Sequence, residues 1–219
     1  MADKMEPREL LNKHCEFNNP YDCYVLLAVS RKKDTPELTN SQEIVFREVI
    51  KHIKDIDRKY KRIKLNCQNY RDDNGKAYPF YIYISLNARN AKKANILMMN
   101  KLLLWLEEES NGVDRSKMFK KMAGNFYSHL MKPESRTKSQ KYFMIDYDEK
   151  DKIDEFKKLL KDITETNIIL EQETKNGYHL KIKPFNRNEL VGFSDFDYEV
   201  KTDANFFVEY VEGKNGNKI

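Results

Sequence analysis

The stretch KYFMIDYDEKDKIDEFKKLLKDI (residues 141–163) changes its hydrophobic period halfway along. Up to Asp148 it alternates as a strand does; from Lys150 it takes the spacing of an amphipathic helix. Alternation puts Tyr142, Met144, Asp146 and Asp148 on one face and Phe143, Ile145 and Tyr147 on the other. Two carboxylates therefore share one face at the end of a strand.

Downstream, the sequence predicts a strand at 167–174, a turn at Lys175-Asn176-Gly177, a strand at 178–184, a short helix or loop at 186–196 and a last strand at 204–211. Asn-Gly is a strong hairpin signal because both residues tolerate positive φ. The order βαββ(α)β is that of ferredoxin-like and RNA-recognition folds. It assigns residues 136–212 to a ferredoxin/RRM-like half, with 213–219 as a flexible tail.

Upstream, DCYVLLAVSRKK (22–33) predicts a strand and Ser41 a helix cap. Phe46, Val49, Ile50, Ile53, Ile56, Tyr60 and Ile63 recur at three and four, predicting one helix over 41–63. A strand at 80–89, a helix at 90–110 apolar over so wide an arc that it should be largely buried, and a helix at 116–131 complete residues 1–135. Met118 and Met122 in that last helix are expected as core filler. The fold class is α/β (α+β): an N-terminal strand-helix-strand-helix unit before the RRM-like half.

Composition narrows the function classes. The net charge of +5 favours a polyanionic partner only where cations share a face, and the candidate clusters are 57–64, 115–121 and 132–141. No stretch reaches the roughly 18 apolar residues of a membrane span, and MADKMEPREL has no signal-peptide core, so a cytoplasmic protein without a membrane partner is expected. Cys15, Cys23 and Cys67 lack zinc-site spacing and are expected as free thiols. The glycines form neither a dinucleotide-binding run nor a Walker loop.

Two like charges on one strand end call for something positive between them. Mg²⁺ or Mn²⁺ is one answer, since these cations prefer carboxylate oxygens and keep positions open for phosphate. The other is that Asp148 caps the next helix and Asp146 is incidental. In the ferredoxin-like order the first and third strands are adjacent, which sets His179 beside the aspartates, able to donate a ring N–H to phosphate. The last strand is expected on the other side of the first, where Glu209 is a candidate third carboxylate.

YFMIDYD followed by KNGYHLKIKPF resembles the first two motifs of the archaeo-eukaryotic primase (primase-polymerase) superfamily, and is also similar to small bacterial and phage proteins. The resemblance implies an N-terminal α/β unit against an RNA-recognition-like half with the site between them. It implies catalytic roles for Asp146, Asp148 and His179, the two aspartates binding catalytic metals, Mg²⁺ or Mn²⁺, and His179 contacting the phosphates of a nucleoside triphosphate. Charge and location add Arg89, Lys175 and Lys181 as substrate contacts. That family's third acidic motif has no clear counterpart: Glu209 fits by type, whereas Asp195, Asp197 and Asp203 fall in expected loop.

Three functions follow as expectations. The first is a metal-dependent nucleotidyltransferase of primase-polymerase type acting on nucleoside triphosphates and DNA or RNA. The second is a non-catalytic nucleic-acid-binding module on the same fold, with Tyr142 or Tyr178 stacking on bases. The third is a metal-dependent nuclease.

Overall fold

A computed structural model describes residues 5–32, 38, 43–138, 141–164, 167–190 and 195–213. Helix α1 (Pro7–His14) precedes a hairpin of β1 (Asp22–Ser30) and β2 (Ile44–Ile50), and α2 (Ile56–Asn69) follows. Strands β3 (Phe80–Ser85) and β4 (Arg89–Asn90) lead into α3 (Ala91–Ser110), α4 (Ser116–Lys120) and α5 (Met122–Leu130). The second half runs β5 (Phe143–Tyr147), α6 (Ile153–Thr164), β6 (Ile168–Glu173), β7 (Tyr178–Ile182), β8 (Tyr198–Lys201) and β9 (Asn205–Val211). The class is α+β, with two antiparallel sheets.

The first sheet has the order β2-β1-β3-β9, with β4 paired to the start of β1. Its strand β2 falls in the segment expected to open a helix. Phe46, Val49 and Ile50 suit a helix face, but IVFREVI is also rich in β-branched residues, and β1 offers partners from Tyr24↔Ile50 to Ser30↔Ile44. A complete ladder outweighs the local period. The helix begins only at Ile56, burying Ile56, Tyr60, Ile63 and Cys67; the expected cap, Ser41, lies outside the described residues. The helix expected at 116–131 is divided at Lys121, and Met118 and Met122 are exposed rather than core. Helix α3 is likewise not largely buried: Ala94 and Trp105 are its buried residues.

The second sheet has the order β6-β7-β5-β8, the ferredoxin-like arrangement. Its fourth strand is the short β8, which the sequence reading missed, and not the last strand. β9 instead pairs with β3, where Phe206 and Val208 join the first sheet's core. The chain thus leaves the 136–212 unit at β9 and returns to the first. Residues 214–219, expected as a tail, lie outside the described residues.

Alternation then assigns each face. Phe143, Ile145 and Tyr147 pack with Phe156 and Leu160 of α6. Met144 and Leu170 of the opposite face enter the core formed by Leu10 and Leu11 of α1, Leu26 and Ile84 of the first sheet and Ile63 of α2. Cys23, Val25 and Val49, on the first sheet's other face, are covered by Ala94 and Leu130. All three cysteines are free and buried, and no helix among the described residues is long and apolar enough to cross a membrane.

Arg89, expected at a phosphate, is instead a tie within this core. It is 1% exposed, and its guanidinium donates to Asp203 Oδ1 at 2.6 Å and Oδ2 at 3.1 Å. The pair binds the start of α3 to the loop before β9. Removing one partner strands the other's charge, so Arg89→Ala is expected to cost about 3–5 kcal/mol in urea denaturation. A loss below about 1 kcal/mol would show the pair to be dispensable.

Candidate functional site

The ladder places His179 and Glu199 directly opposite Asp146, on its two sides. Cross-strand partners share a face, so His179, Asp146 and Glu199 form a row over β7, β5 and β8. Asp148, two residues on, belongs to the same face and is exposed. The convergence of Asp146, Asp148 and His179 is therefore real, and β8 adds two residues absent from the sequence reading, Glu199 and Lys201.

Glycine 177 makes the hairpin's approach possible, though not through positive φ, which among the described glycines is confined to Gly75 and Gly112. A Cβ at Gly177 would lie 1.8 Å from the Tyr147 carbonyl oxygen and 3.0 Å from the Asp148 Cα. The turn is held by Thr174 N–H donating to the Gly177 carbonyl at 2.8 Å, and by Gly177 N–H donating to Thr174 Oγ1 at 3.1 Å. It thus packs against the strand end that carries the aspartates.

Hydrogen bonding fixes the histidine. Its Nδ1 accepts the Phe207 N–H of β9 at 3.0 Å, which puts the proton of the neutral ring on Nε2, facing Asp146 Oδ1 at 3.2 Å. The donor expected to reach phosphate is turned to Asp146. The other oxygen, Oδ2, accepts from Lys201 Nζ at 2.5 Å, and the same ammonium reaches Glu199 Oε2 at 3.0 Å. The positive charge at Asp146 is thus an internal lysine, which bridges it to Glu199 rather than to Asp148.

These contacts set the acidities. Burial works to raise the Asp146 pKa, but hydrogen bonds from His179 and Lys201 outweigh it and bring the carboxyl to about 2. Asp148 is raised, by desolvation and then by the charges of Asp146 and Asp197. Burial lowers the Lys201 ammonium, yet Asp146 and Glu199 carry it above its usual value.

The cleft at this row has a volume of about 150 Å³ and lies between the two sheets. One wall is Asp146, Asp148, His179 and the turn residues Thr174, Lys175 and Asn176; the other is Arg31, Tyr81, Tyr83 and Phe207. Lys175, expected as a substrate contact, thus lines this cleft. The aromatic wall lies on strands expected at 80–89 and 204–211 and is not among the expected site residues: Tyr81 meets Phe207 and Tyr210 at ring distances of 6.4 and 5.2 Å, Tyr83 meets Phe207 at 5.8 Å, and Arg31 donates to the Tyr83 hydroxyl at 3.4 Å. Tyr83 is the part-exposed ring of this wall, with Tyr81 and Phe207 buried behind it; the aromatic signal is present in FYIYIS, but which ring reaches the cleft is not.

Two other expected contacts are elsewhere. Glu209 faces α2 through the first sheet, accepting from Tyr60 Oη at 2.5 Å and Lys64 Nζ at 2.9 Å, because β9 joined that sheet with a bulge opposite Ile82 and Tyr83. It is not a third ligand beside Asp146. Lys181 shares the face of His179 but is 0% exposed, donating to the His14 carbonyl at 2.9 Å with its ammonium 4.1 Å from the Tyr142 ring centre. Desolvation lowers it to about 8, and it cannot reach a ligand. Tyr142, offered for stacking, lies in this network and donates to Glu16 Oε1 at 2.8 Å; Tyr178 packs against the α6 side of the sheet.

The carboxylate chemistry of Asp146, Asp148 and Glu199 would suit a hard divalent cation. The arrangement does not: both Asp146 oxygens are engaged, and among the described residues no group of three or more His, Cys, Asp or Glu side chains is placed to hold a metal ion. The basic clusters also divide. In 57–64, Lys59 and Arg62 pair with Glu48, Lys61 with Asp57 and Lys64 with Glu209. Cluster 132–141 instead contributes Arg136, Lys138 and Lys141, with Lys93, to a second concavity of about 360 Å³.

Two outcomes test this geometry. Gly177→Ala is expected to lose about 1–3 kcal/mol in urea denaturation by overpacking the turn, whereas Gly124→Ala, with open space around it in α5, should be neutral or gain up to about 1 kcal/mol; equal effects would reject the close-approach account. A depressed folded pKa gives stability that is complete above the unfolded value of about 3.9 and is lost as pH falls through about 2. The stability difference between wild type and Asp146→Asn should therefore shrink over that window, and a difference independent of pH would mean that the His179 and Lys201 contacts contribute nothing.

Comparison with protein-family models, with curated proteins and with solved structures finds no match to this chain.

Proposed function

We propose that the cleft binds single-stranded nucleic acid, taking one flat ring against the aromatic wall while cations outside it meet the phosphates. The observation that carries this is the pairing of Tyr81, Tyr83 and Phe207 with Arg31 and Lys175 around one opening. Rings offer a stacking surface to any base, and flanking cations hold the backbone. Size favours one unit of a polymer: about 150 Å³ is well under the roughly 300 Å³ at which pockets begin to enclose a whole small molecule. The second, basic concavity gives a longer strand further phosphate contacts.

The neutralised carboxylate row then has a positioning role. Lys201 and His179 hold Asp146, which leaves Asp148 as an exposed acceptor for a base edge or a sugar hydroxyl. Nothing in this reading calls for a metal.

A second reading, nucleotidyl transfer of primase-polymerase type from a nucleoside triphosphate, is favoured by one observation: Glu199 is directly opposite Asp146 and puts a third carboxylate on the same face. That reading would require Mg²⁺ or Mn²⁺ and a rearranged Lys201, and it predicts primer extension lost in Asp148→Asn/Glu199→Gln.

Anisotropy of a labelled single-stranded oligonucleotide tests the proposal, with DNA and RNA versions compared in EDTA. Engaging about three phosphates should weaken binding roughly 20-fold between about 50 and 200 mM salt. Tyr83→Ala should cost about 1–3 kcal/mol of affinity, with Lys181→Met as the variant that leaves binding unchanged. Absent or salt-insensitive binding would reject the reading; binding only with Mn²⁺ and triphosphate would favour the second.

A further inference from the structure

Helix α3 presents a row of large apolar side chains to solvent. Ile96, Met99, Leu103 and Leu106 are 48%, 59%, 64% and 53% exposed, while Ala94 and Trp105, on the opposite side, are buried. Spacings of three, four and three align these four as a stripe of the kind that seats another helix, knobs into holes, with Leu104, 42% exposed, to one side of it. Scattered exposed leucines need no explanation, but an aligned row over three turns of a helix does.

Charge along the helix indicates what covers the row. Its first turn carries Lys92 and Lys93 and its last turn Glu107, Glu108 and Glu109. This is the reverse of what a lone helix prefers, since the N-terminal dipole end repels cations and the C-terminal end repels anions. Lys93 donates to the Arg136 carbonyl and Glu108 pairs with Arg115, while Lys92, its ammonium 5.4 Å from the Tyr21 ring centre, and Glu107 are exposed beside the two ends of the row. A helix of the same sequence running antiparallel would bring basic end to acidic end twice over and would oppose the two dipoles.

We infer that α3 is the seam of a homodimer in which two copies of this chain pair their α3 helices antiparallel about a two-fold axis. With the axis between Met99 and Leu103, Ile96 meets Leu106 of the copy, Met99 meets Leu103, and Lys92 comes within reach of Glu107. The interface is isologous, as two-fold pairing demands. A single helix of about 30 Å puts it at the small end of specific interfaces, so micromolar association is expected.

Sedimentation velocity on the full chain tests this. Wild type should be monomeric near about 0.1 µM and dimeric by about 100 µM. Leu103→Glu should raise the dissociation constant at least about 100-fold, with circular dichroism and thermal midpoint showing that the fold persists. Lys92→Glu alone sets acid against acid at both ends and should weaken the dimer roughly 10-fold, and Lys92→Glu/Glu107→Lys should restore it. A wild type that stays monomeric at the highest concentration overturns the inference and leaves the row to a different partner. A Leu103→Glu dimer as tight as wild type overturns it as well, and failure of the double exchange to restore association overturns the antiparallel pairing.

Discussion

One imidazole joins the two sheets. His179 accepts from the backbone of β9 with one nitrogen and faces the carboxylate of β5 with the other, so at the cleft one flat ring ties the first sheet's edge strand to the second sheet's central strand, beside the shared core that Met144 and Leu170 enter. The backbone contact requires a bare Nδ1, which leaves the only ring proton for Asp146. A side chain with two free donors could not make both contacts. The cleft therefore exists because the ring has one acceptor and one donor on opposite sides, and because Gly177 lets the hairpin that carries it close on Tyr147.

Along the same face, the surroundings change within a few residues. Met144 is in the core, Lys181 is fully buried and satisfied by a backbone carbonyl and an aromatic ring, and Asp146 lies at the edge of the cleft. A buried ammonium is costly unless its protons are met, and the fall of the Lys181 pKa to about 8 is the sign of that cost. Two lysines of similar sequence context thus part company. Lys181 faces α1 and supports the packing of the sheets, whereas Lys201, on the edge strand β8, stays half-exposed and bridges Asp146 and Glu199.

How far the sequence could be read follows from which residues carry a one-sided signal. The run from Tyr142 to Ile182 has clean alternation, a clear helix and a hairpin turn, and the strand order and the meeting of Asp146 with His179 were legible there. Phe46, Val49 and Ile50 satisfied helix and strand spacing at once, and only the ladder with β1 decided between them. YEVK is too short and too polar to announce a strand, so β8 was missed and Glu199 and Lys201 with it. Glu209 went astray because alternation fixes which residues share a face, not which sheet the strand enters.

The aromatic wall and the α3 row are consequences of the same placement. One face of the first sheet is covered at Cys23, Val25 and Val49 by α3 and α5, while its other end, at Tyr81 and Tyr83, opens into the cleft. Helix α3 cannot slide to cover more: β4 pairs its first turn to the start of β1, Asn90 caps it by accepting the Lys93 N–H at 3.0 Å, and Arg89 is locked to Asp203. So fixed, the helix buries only one side, and an apolar arc as wide as that of α3 must leave the remainder to solvent. The anchor at β4, Asn90 and Arg89 is thus what leaves the apolar row uncovered.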